Sequence, residues 1–89
     1  MAWSVQFSKR ARQQLEKLDP PVARRILQFV LERVAACANP RSLGEGLKGT
    51  ELGDLWRYRV GDYRILASIE DQTIEILVVA VGHRREIYR

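Results

Sequence analysis

The sequence predicts an α+β domain in which a helical hairpin covers one face of a small, mostly antiparallel sheet of four strands. Three observations indicate this class. Apolar residues recur with a period of two near the start, with helical spacing over residues 9–38, and again in strand-like patterns after residue 54. The resulting order of strand, helix, helix and three strands is typical of α+β proteins. With 89 residues, the chain is expected to form one domain, residues 1–89.

The first strand and the helical hairpin are predicted from the start of the chain. Apolar residues at positions 3, 5 and 7 alternate with polar ones, as in a strand with one buried face. Ser8 is predicted to cap a first helix over residues 9–18, because its side chain can accept backbone N–H groups. Asp19 and the two prolines after it open a second helix, which is expected to end near Ala38.

The second half of the sequence predicts a loop followed by three strands. Residues 39–54 hold four of the six glycines and are expected to form a loop. Strands over residues 55–60 and 63–69 flank Gly61-Asp62, which fits a two-residue hairpin turn. The segment 74–81 is apolar at nearly every position, which is typical of a strand that is buried on both faces.

The predicted turn determines which hairpin residues face each other. It places Arg59 opposite Arg64, and side chains alternate between faces, so Arg57, Arg59 and Arg64 share the face away from the helices. Like charges in direct opposition destabilise a sheet by about 0.2–1 kcal/mol. Three arginines so placed favour an anion-binding site. The alternative is an ordinary solvated face, on which the arginines spread apart or pair with Glu75 of the neighbouring strand.

A second group of polar residues follows the last strand: His83, Arg84, Arg85 and Tyr88. Chain segments at strand ends often carry functional side chains, because a rigid scaffold positions them. Histidine exchanges a proton near neutral pH, so His83 is a candidate acid or base, with a plain surface histidine as the alternative. Tyr88 is either a packed anchor or, beside cations that favour its phenolate, a proton-transfer group.

Composition and other motifs exclude several classes of function. The 15 basic and 11 acidic residues give a net charge of +4, which favours an anionic partner. Cys37 is the single cysteine and His83 the single histidine, so neither an internal disulfide nor a zinc site is expected. The low cysteine content also favours a location in the reducing cytoplasm. No apolar run approaches the roughly 20 residues that span a bilayer. The glycines at 44, 46 and 49 match a dinucleotide-binding pattern but precede a strand, so that function is rejected.

Three segments together carry a resemblance to a known family: L-K-G, L-W-R-Y-R-V-G-D-Y-R-I and V-G-H-R-R-E-I-Y. Over essentially its whole length the chain resembles the RelE/ParE superfamily, the toxins of type II toxin–antitoxin modules. This resemblance implies a RelE-like β-α-α-β-β-β fold. Residues 83–89, called the tail below, are closer in sequence to RelE-like members, which cut messenger RNA, than to ParE-like members, which inhibit DNA gyrase.

The resemblance implies a ribosome-dependent mRNA endoribonuclease that acts in the ribosomal A site without a metal or cofactor. The 2′-hydroxyl of the substrate attacks the adjacent phosphate, which leaves a 2′,3′-cyclic phosphate and a 5′-hydroxyl. Such chemistry needs a base, an acid and cations against the charge that develops on the phosphate. The alternatives are a ParE-like gyrase inhibitor without nuclease activity and, third, a DNA-binding co-repressor that has lost its toxicity.

Eight residues of this chain are expected to form the site, and the resemblance assigns roles to six of them, all except Lys48 and Arg85. Catalysis is assigned to Arg64, His83, Arg84 and Tyr88, and binding of RNA phosphate to Lys48, Arg57, Arg59 and Arg85. RelE has lysines at the sites of Arg57 and Arg59, and an arginine effectively cannot lose a proton. The general base is therefore expected to be His83 or Tyr88, while Arg84 supports the leaving group.

The family resemblance also implies protein and nucleic-acid partners. A cognate antitoxin is expected to neutralise the toxin, and the complex of the two is expected to bind operator DNA through the antitoxin. The outer faces of the helices and the unpaired sheet edges are the predicted docking surfaces, because an open strand edge can accept another chain. No membrane partner is expected.

Overall fold

The computed structural model describes residues 3–47 and 55–87 and has the α+β architecture that the sequence predicts. Its elements in chain order are β1 (Ser4–Phe7), α1 (Lys9–Glu16), α2 (Pro20–Gln28), β2 (Glu45–Gly46), β3 (Trp56–Val60), β4 (Tyr63–Glu70) and β5 (Glu75–His83). A π-helical segment (Phe29–Val34) extends α2, and a short 3-10 helix (Pro40–Leu43) precedes β2.

The sheet has five strands in the order β1-β5-β4-β3-β2, so the prediction of four strands was wrong by one. Strand β1 runs parallel to β5, and the other neighbouring pairs are antiparallel. The strand that the sequence did not predict is β2, in which Glu45 pairs with Arg57 and Gly46 with Trp56. It lies in the glycine-containing segment that was expected to be a loop, and two residues are too few to show a period.

Local signals explain where the helices begin and end. The Ser8 hydroxyl accepts a hydrogen bond from the Ala11 N–H (3.1 Å), which confirms the predicted cap of α1. Asp19 makes no such bond, and α2 begins at Pro20, whose fixed φ suits a first helical position. Regular α-helix ends at Gln28, earlier than expected, because the chain continues in π-helical geometry. In the described part of the chain, no helix has the length and apolarity needed to cross a bilayer.

The main core lies between the helices and one face of the sheet, here called the inner face. Ala11, Ile26 and Val30 pack there with sheet residues such as Tyr58 and Ile65. A smaller apolar cluster on the outer face contains Leu66, Ala80 and Ile87. Because Ile87 follows β5, the tail folds back over the outer face. Strand β5 is thus covered on both faces near its end, whereas Leu77 nearer its start is 37% exposed.

Tyr58 links the core to the segment that leads into β2. Its ring is buried, and its hydroxyl donates a hydrogen bond to the Pro40 carbonyl oxygen (2.8 Å). Burial raises the pKa of Tyr58 to about 12, because the phenolate is poorly solvated there. The folded state therefore holds this proton more tightly than the unfolded state, and the stability that follows from it is lost as pH rises from about 10 to about 12.

Tyr58→Phe is expected to lower the free energy of unfolding at pH 7 by about 1 kcal/mol, the net value of one hydrogen bond. The difference between the wild type and the variant should shrink between pH 10 and 12, because only the wild type loses the contribution of this phenol. Urea unfolding at pH 7, 10 and 11.5 measures both effects. Parallel alkaline curves for the two proteins would contradict the assigned burial.

Candidate active site

The β3–β4 hairpin has the register that the sequence predicts. Arg59 pairs with Arg64 and Arg57 with Leu66 across the two-residue turn. Gly61 in that turn has φ +60°, a left-handed conformation that glycine adopts without strain and that this kind of hairpin turn requires. The predicted backbone placement of the three arginines is confirmed.

Glu45 of strand β2 is a carboxylate that binds two of these arginines. Arg57 donates a hydrogen bond to its Oε2, and Arg59 Nη2 lies 3.3 Å from its Oε1. The hydrogen bond from Arg57, and then the charges of Arg57, Arg59 and Arg64, hold the pKa of Glu45 below its usual value. All three arginines therefore act on one carboxylate, which is a different residue from the Glu75 proposed as the alternative partner. This arrangement of Glu45 with Arg57, Arg59 and Arg64 is called the arginine cluster below.

Arg64 is held differently from the other two arginines of the cluster. Its Nη1 donates to the carbonyl oxygens of Gly61 and Tyr63, both at 2.9 Å. These neutral acceptors fix the guanidinium without cancelling its charge, and none of the residues in the described ranges forms an ion pair with Arg64. Arg64 is thus a positioned cation beside the hairpin turn that forms no close ion pair with a described residue.

The tail is fastened to the same turn. The Arg84 N–H donates to the Asp62 carbonyl oxygen (2.8 Å), while the side chains of Arg84 and Arg85 are exposed. His83 lies edge to face with Tyr63, with 5.6 Å between the ring centroids. The His83 Nδ1 accepts a hydrogen bond from the Arg85 N–H (3.2 Å), so the neutral ring carries its proton on Nε2.

A β-bulge decides which face His83 occupies. Leu66 pairs with Ala80 but the next residue, Ala67, pairs with Val78, so Val79 is an extra residue in β5. Beyond the bulge the alternation of β5 is reversed, and His83 shares the inner face with Tyr63. There it lines a cleft of about 540 Å³, together with Gln14 of α1, Lys17 just after that helix, and the tail.

One end of the sheet therefore collects four of the predicted residues: Arg59, Arg64, His83 and Arg84. This end, formed by the Gly61-Asp62 turn and the end of β5, is called the hairpin end. The imidazole and the arginine cluster lie on opposite faces of it, and no described contact joins them. Lys48 and Tyr88 lie outside the described residues.

Comparison with known proteins identifies the class. The family model described as the ParE toxin of the type II toxin–antitoxin system, parDE, matches residues 5–88. The chain belongs to this family of toxins, within the RelE/ParE superfamily that the sequence motifs indicate. It is similar to Toxin RelG of Mycobacterium tuberculosis, with 32% identity over 89 residues that cover 100% of this chain and 99% of that protein. It is a toxin of the RelE type.

Solved structures confirm the RelE-like fold. The RelBE2 toxin–antitoxin complex of Mycobacterium tuberculosis contains a chain with a TM-score of 0.86 and 28% identity, covering 97% of this chain and 95% of that one. The archaeal RelE–RelB complex of Pyrococcus horikoshii gives a TM-score of 0.75 and 28% identity, with coverages of 97% and 99%. The Escherichia coli RelBE complex, at 20% identity and a TM-score of 0.71, shares the fold over 92% of this chain and 96% of that one.

Proposed function

We propose that this toxin is a ribosome-dependent mRNA endoribonuclease that works without a metal. The observation that supports this most is the arginine cluster, where two guanidiniums already bind an oxyanion, the Glu45 carboxylate, and a third acts on it. The planar fork of arginine fits two oxygens of a phosphate as well as it fits those of a carboxylate. In this proposal a phosphate of the RNA takes over the contacts that Glu45 makes in the free protein.

The proposed reaction is an internal transfer within the RNA. A base takes the proton of the 2′-hydroxyl, the 2′-oxygen bonds to the adjacent phosphorus, and the bond from phosphorus to the 5′-oxygen breaks. The 5′-oxygen receives a proton and leaves as a hydroxyl, while the other product carries a 2′,3′-cyclic phosphate. Arg57, Arg59 and Arg64 offset the negative charge that develops on the phosphate oxygens, which is the largest contribution such a surface can make.

The proton transfers are assigned to the tail. His83 or Tyr88 serves as the base, and Arg84 supports the leaving 5′-oxygen. Arg84 and Arg64 both donate hydrogen bonds to backbone oxygens of the Gly61-Asp62 turn. A phosphate that binds at the hairpin end would therefore lie close to the tail. His83 lies on the inner face and the arginine cluster on the outer face. The RNA is therefore proposed to pass over this end of the sheet, where it can contact both. Lys48 and Arg85 are proposed to bind neighbouring RNA phosphates.

Glu45→Gln is expected to raise the affinity of the purified toxin for a short single-stranded RNA several-fold, because it removes the carboxylate that competes for Arg57 and Arg59. The fold should be unchanged, since exposed ion pairs contribute little stability. Fluorescence anisotropy at a fixed, low salt concentration measures the effect. Glu75→Gln is the control and should bind as the wild type does; equal gains in both variants would argue against the role of Glu45.

A cognate antitoxin is part of the proposal. The solved relatives include complexes of a toxin with its antitoxin, RelBE2 and the archaeal RelE–RelB pair, which supports an antitoxin partner for this chain. That antitoxin is proposed to neutralise the toxin. The complex is proposed to bind operator DNA through the antitoxin. The toxin itself is proposed to act in the cytoplasm, where its mRNA substrate is translated.

Expression of the toxin without its antitoxin tests the proposal. We expect translation to stop and mRNA breaks to appear within codons of translated regions. Growth arrest with intact transcripts would contradict the nuclease.

The second candidate is a ParE-like inhibitor of DNA gyrase, which the parDE description of the matching family favours. It predicts accumulation of cleaved gyrase–DNA complexes with translation unaffected. The same expression experiment therefore separates the two functions.

A further inference from the structure

A groove runs between the second helix and the edge of the hairpin. It consists of two clefts, of about 380 and 340 Å³, that share Phe29, Arg33 and Arg59 in their walls. The first cleft extends to Arg25 and the hairpin turn, and the second to the segment that carries Glu45. Because they share these three side chains, the two clefts are adjacent, and together they are called the α2 groove below.

The π-helical segment aligns the residues of this groove. Arg25, Phe29 and Arg33 are spaced by four, and in an α-helix each such step would drift by about 40° around the axis. A π-helix has more residues in each turn, so the segment from Phe29 to Val34 rotates Arg33 back towards the line of Arg25. Within α-helices such π-helical turns occur frequently at functional sites.

The charges of the α2 groove are mostly positive, although Arg57 and Arg59 pair with Glu45. Four arginines line it, against Glu32 and Glu45. Arg25 and Arg33 are exposed, and neither forms an ion pair with any residue of the described ranges. Arg25 reaches the hairpin turn: a Cβ at Gly61 would lie in van der Waals contact with Arg25 Nη1, at 3.6 Å. Arginines from two elements thus face one open channel.

We infer that the α2 groove binds the phosphate backbone of an RNA strand that continues from the arginine cluster. This inference rests on the proposed function and extends it. Arg59 belongs to both surfaces, so a strand held at the cluster passes Arg59 and enters the groove. Guanidiniums in a row suit the regular repeat of phosphates, which bind through charge and not through base identity.

The test is the salt dependence of RNA binding. Fluorescence anisotropy with a labelled single-stranded RNA and the purified toxin gives the dissociation constant at several salt concentrations. Arg25→Gln and Arg33→Gln should each weaken binding about fivefold at low salt and reduce the slope of log K against log salt by about 0.7. In the double variant the slope should be reduced by about twice as much as in either single variant. Arg24→Gln, the neighbouring exposed arginine that does not line the groove, should match the wild type.

Several outcomes would overturn the inference. They are an unchanged slope in the double variant, an equal loss in Arg24→Gln, or no RNA binding by the wild type at low salt. Poly-glutamate serves as a probe for an acidic protein partner. If the double variant lost binding to poly-glutamate but kept its affinity for RNA, the groove would be assigned to an acidic protein. The proposed function and the proposed groove can fail separately. A reduced slope in the variants, together with intact mRNA during translation, would contradict the nuclease but support RNA binding in the groove. Cleavage of mRNA, together with an unchanged slope, would contradict only the groove.

Discussion

His83→Gln is expected to lower the rate of mRNA cleavage in a translating extract by about 10²- to 10⁴-fold, the usual contribution of a positioned acid or base. Glutamine keeps a polar side chain of similar reach but cannot exchange a proton. The imidazole is held by its edge contact with Tyr63 and by the Arg85 N–H on Nδ1, so its position is defined before substrate binds. Primer extension on a single mRNA over time measures the rate.

Tyr63→Phe is the matched control for His83→Gln. It keeps the aromatic ring against which His83 packs, so cleavage within a few-fold of the wild-type rate is expected. Both variants should unfold at temperatures close to that of the wild type and bind RNA with similar affinity. If His83→Gln cleaved mRNA at the wild-type rate, proton transfer would have to be assigned to Tyr88 instead.

Arg64→Gln is expected to lower cleavage by about 10²- to 10³-fold, as loss of one fixed charge-stabilising group does in other enzymes. Arg64 is already oriented by the carbonyl oxygens of Gly61 and Tyr63, and it forms no close ion pair with a described acid, so it needs little rearrangement to bind phosphate. Arg64→Lys should restore only part of the rate, because an ammonium keeps the charge but not the planar fork.

Arg24→Gln removes an exposed arginine of α2 far along the chain from the hairpin and serves as the control for Arg64→Gln. It should cleave at the wild-type rate, which would show that net charge alone does not account for the loss. A wild-type rate for Arg64→Gln would remove the arginine cluster from the reaction. Circular dichroism checks that Arg64→Gln is folded. If the substitution destabilised the fold, the unfolding temperature of Arg64→Gln would fall while that of Arg24→Gln would not.

The hairpin could be predicted from the sequence because its register depends on local chemistry. A two-residue turn at Gly61-Asp62 fixes which residues pair, and alternation then fixes their faces. The backbone placement of Arg57, Arg59 and Arg64 follows from these two rules alone. Their partner could not be found in this way, because Glu45 lies on a strand of two residues that has no periodicity. The available signal was an acidic residue between two glycines, 12 residues before Arg57.

The face of His83 and the shape of the second helix depend on tertiary structure. Strict alternation along β5 would put His83 on the face of the arginine cluster, but the extra residue at the bulge turns it to the inner face. The change from α- to π-helical geometry at Phe29 likewise has no sequence signature comparable to a proline or a cap. Both irregularities lie next to the candidate site, where departures from local rules are common in proteins.

The account is tested most directly by the chemical ends that the toxin leaves on one defined mRNA, incubated with the purified protein in the presence and absence of translating ribosomes. We expect breaks inside codons only when ribosomes translate, with a 2′,3′-cyclic phosphate on the upstream fragment and a 5′-hydroxyl on the downstream one. Intact mRNA under translating conditions, or breaks that end in a free 3′-hydroxyl and a 5′-phosphate, would contradict it.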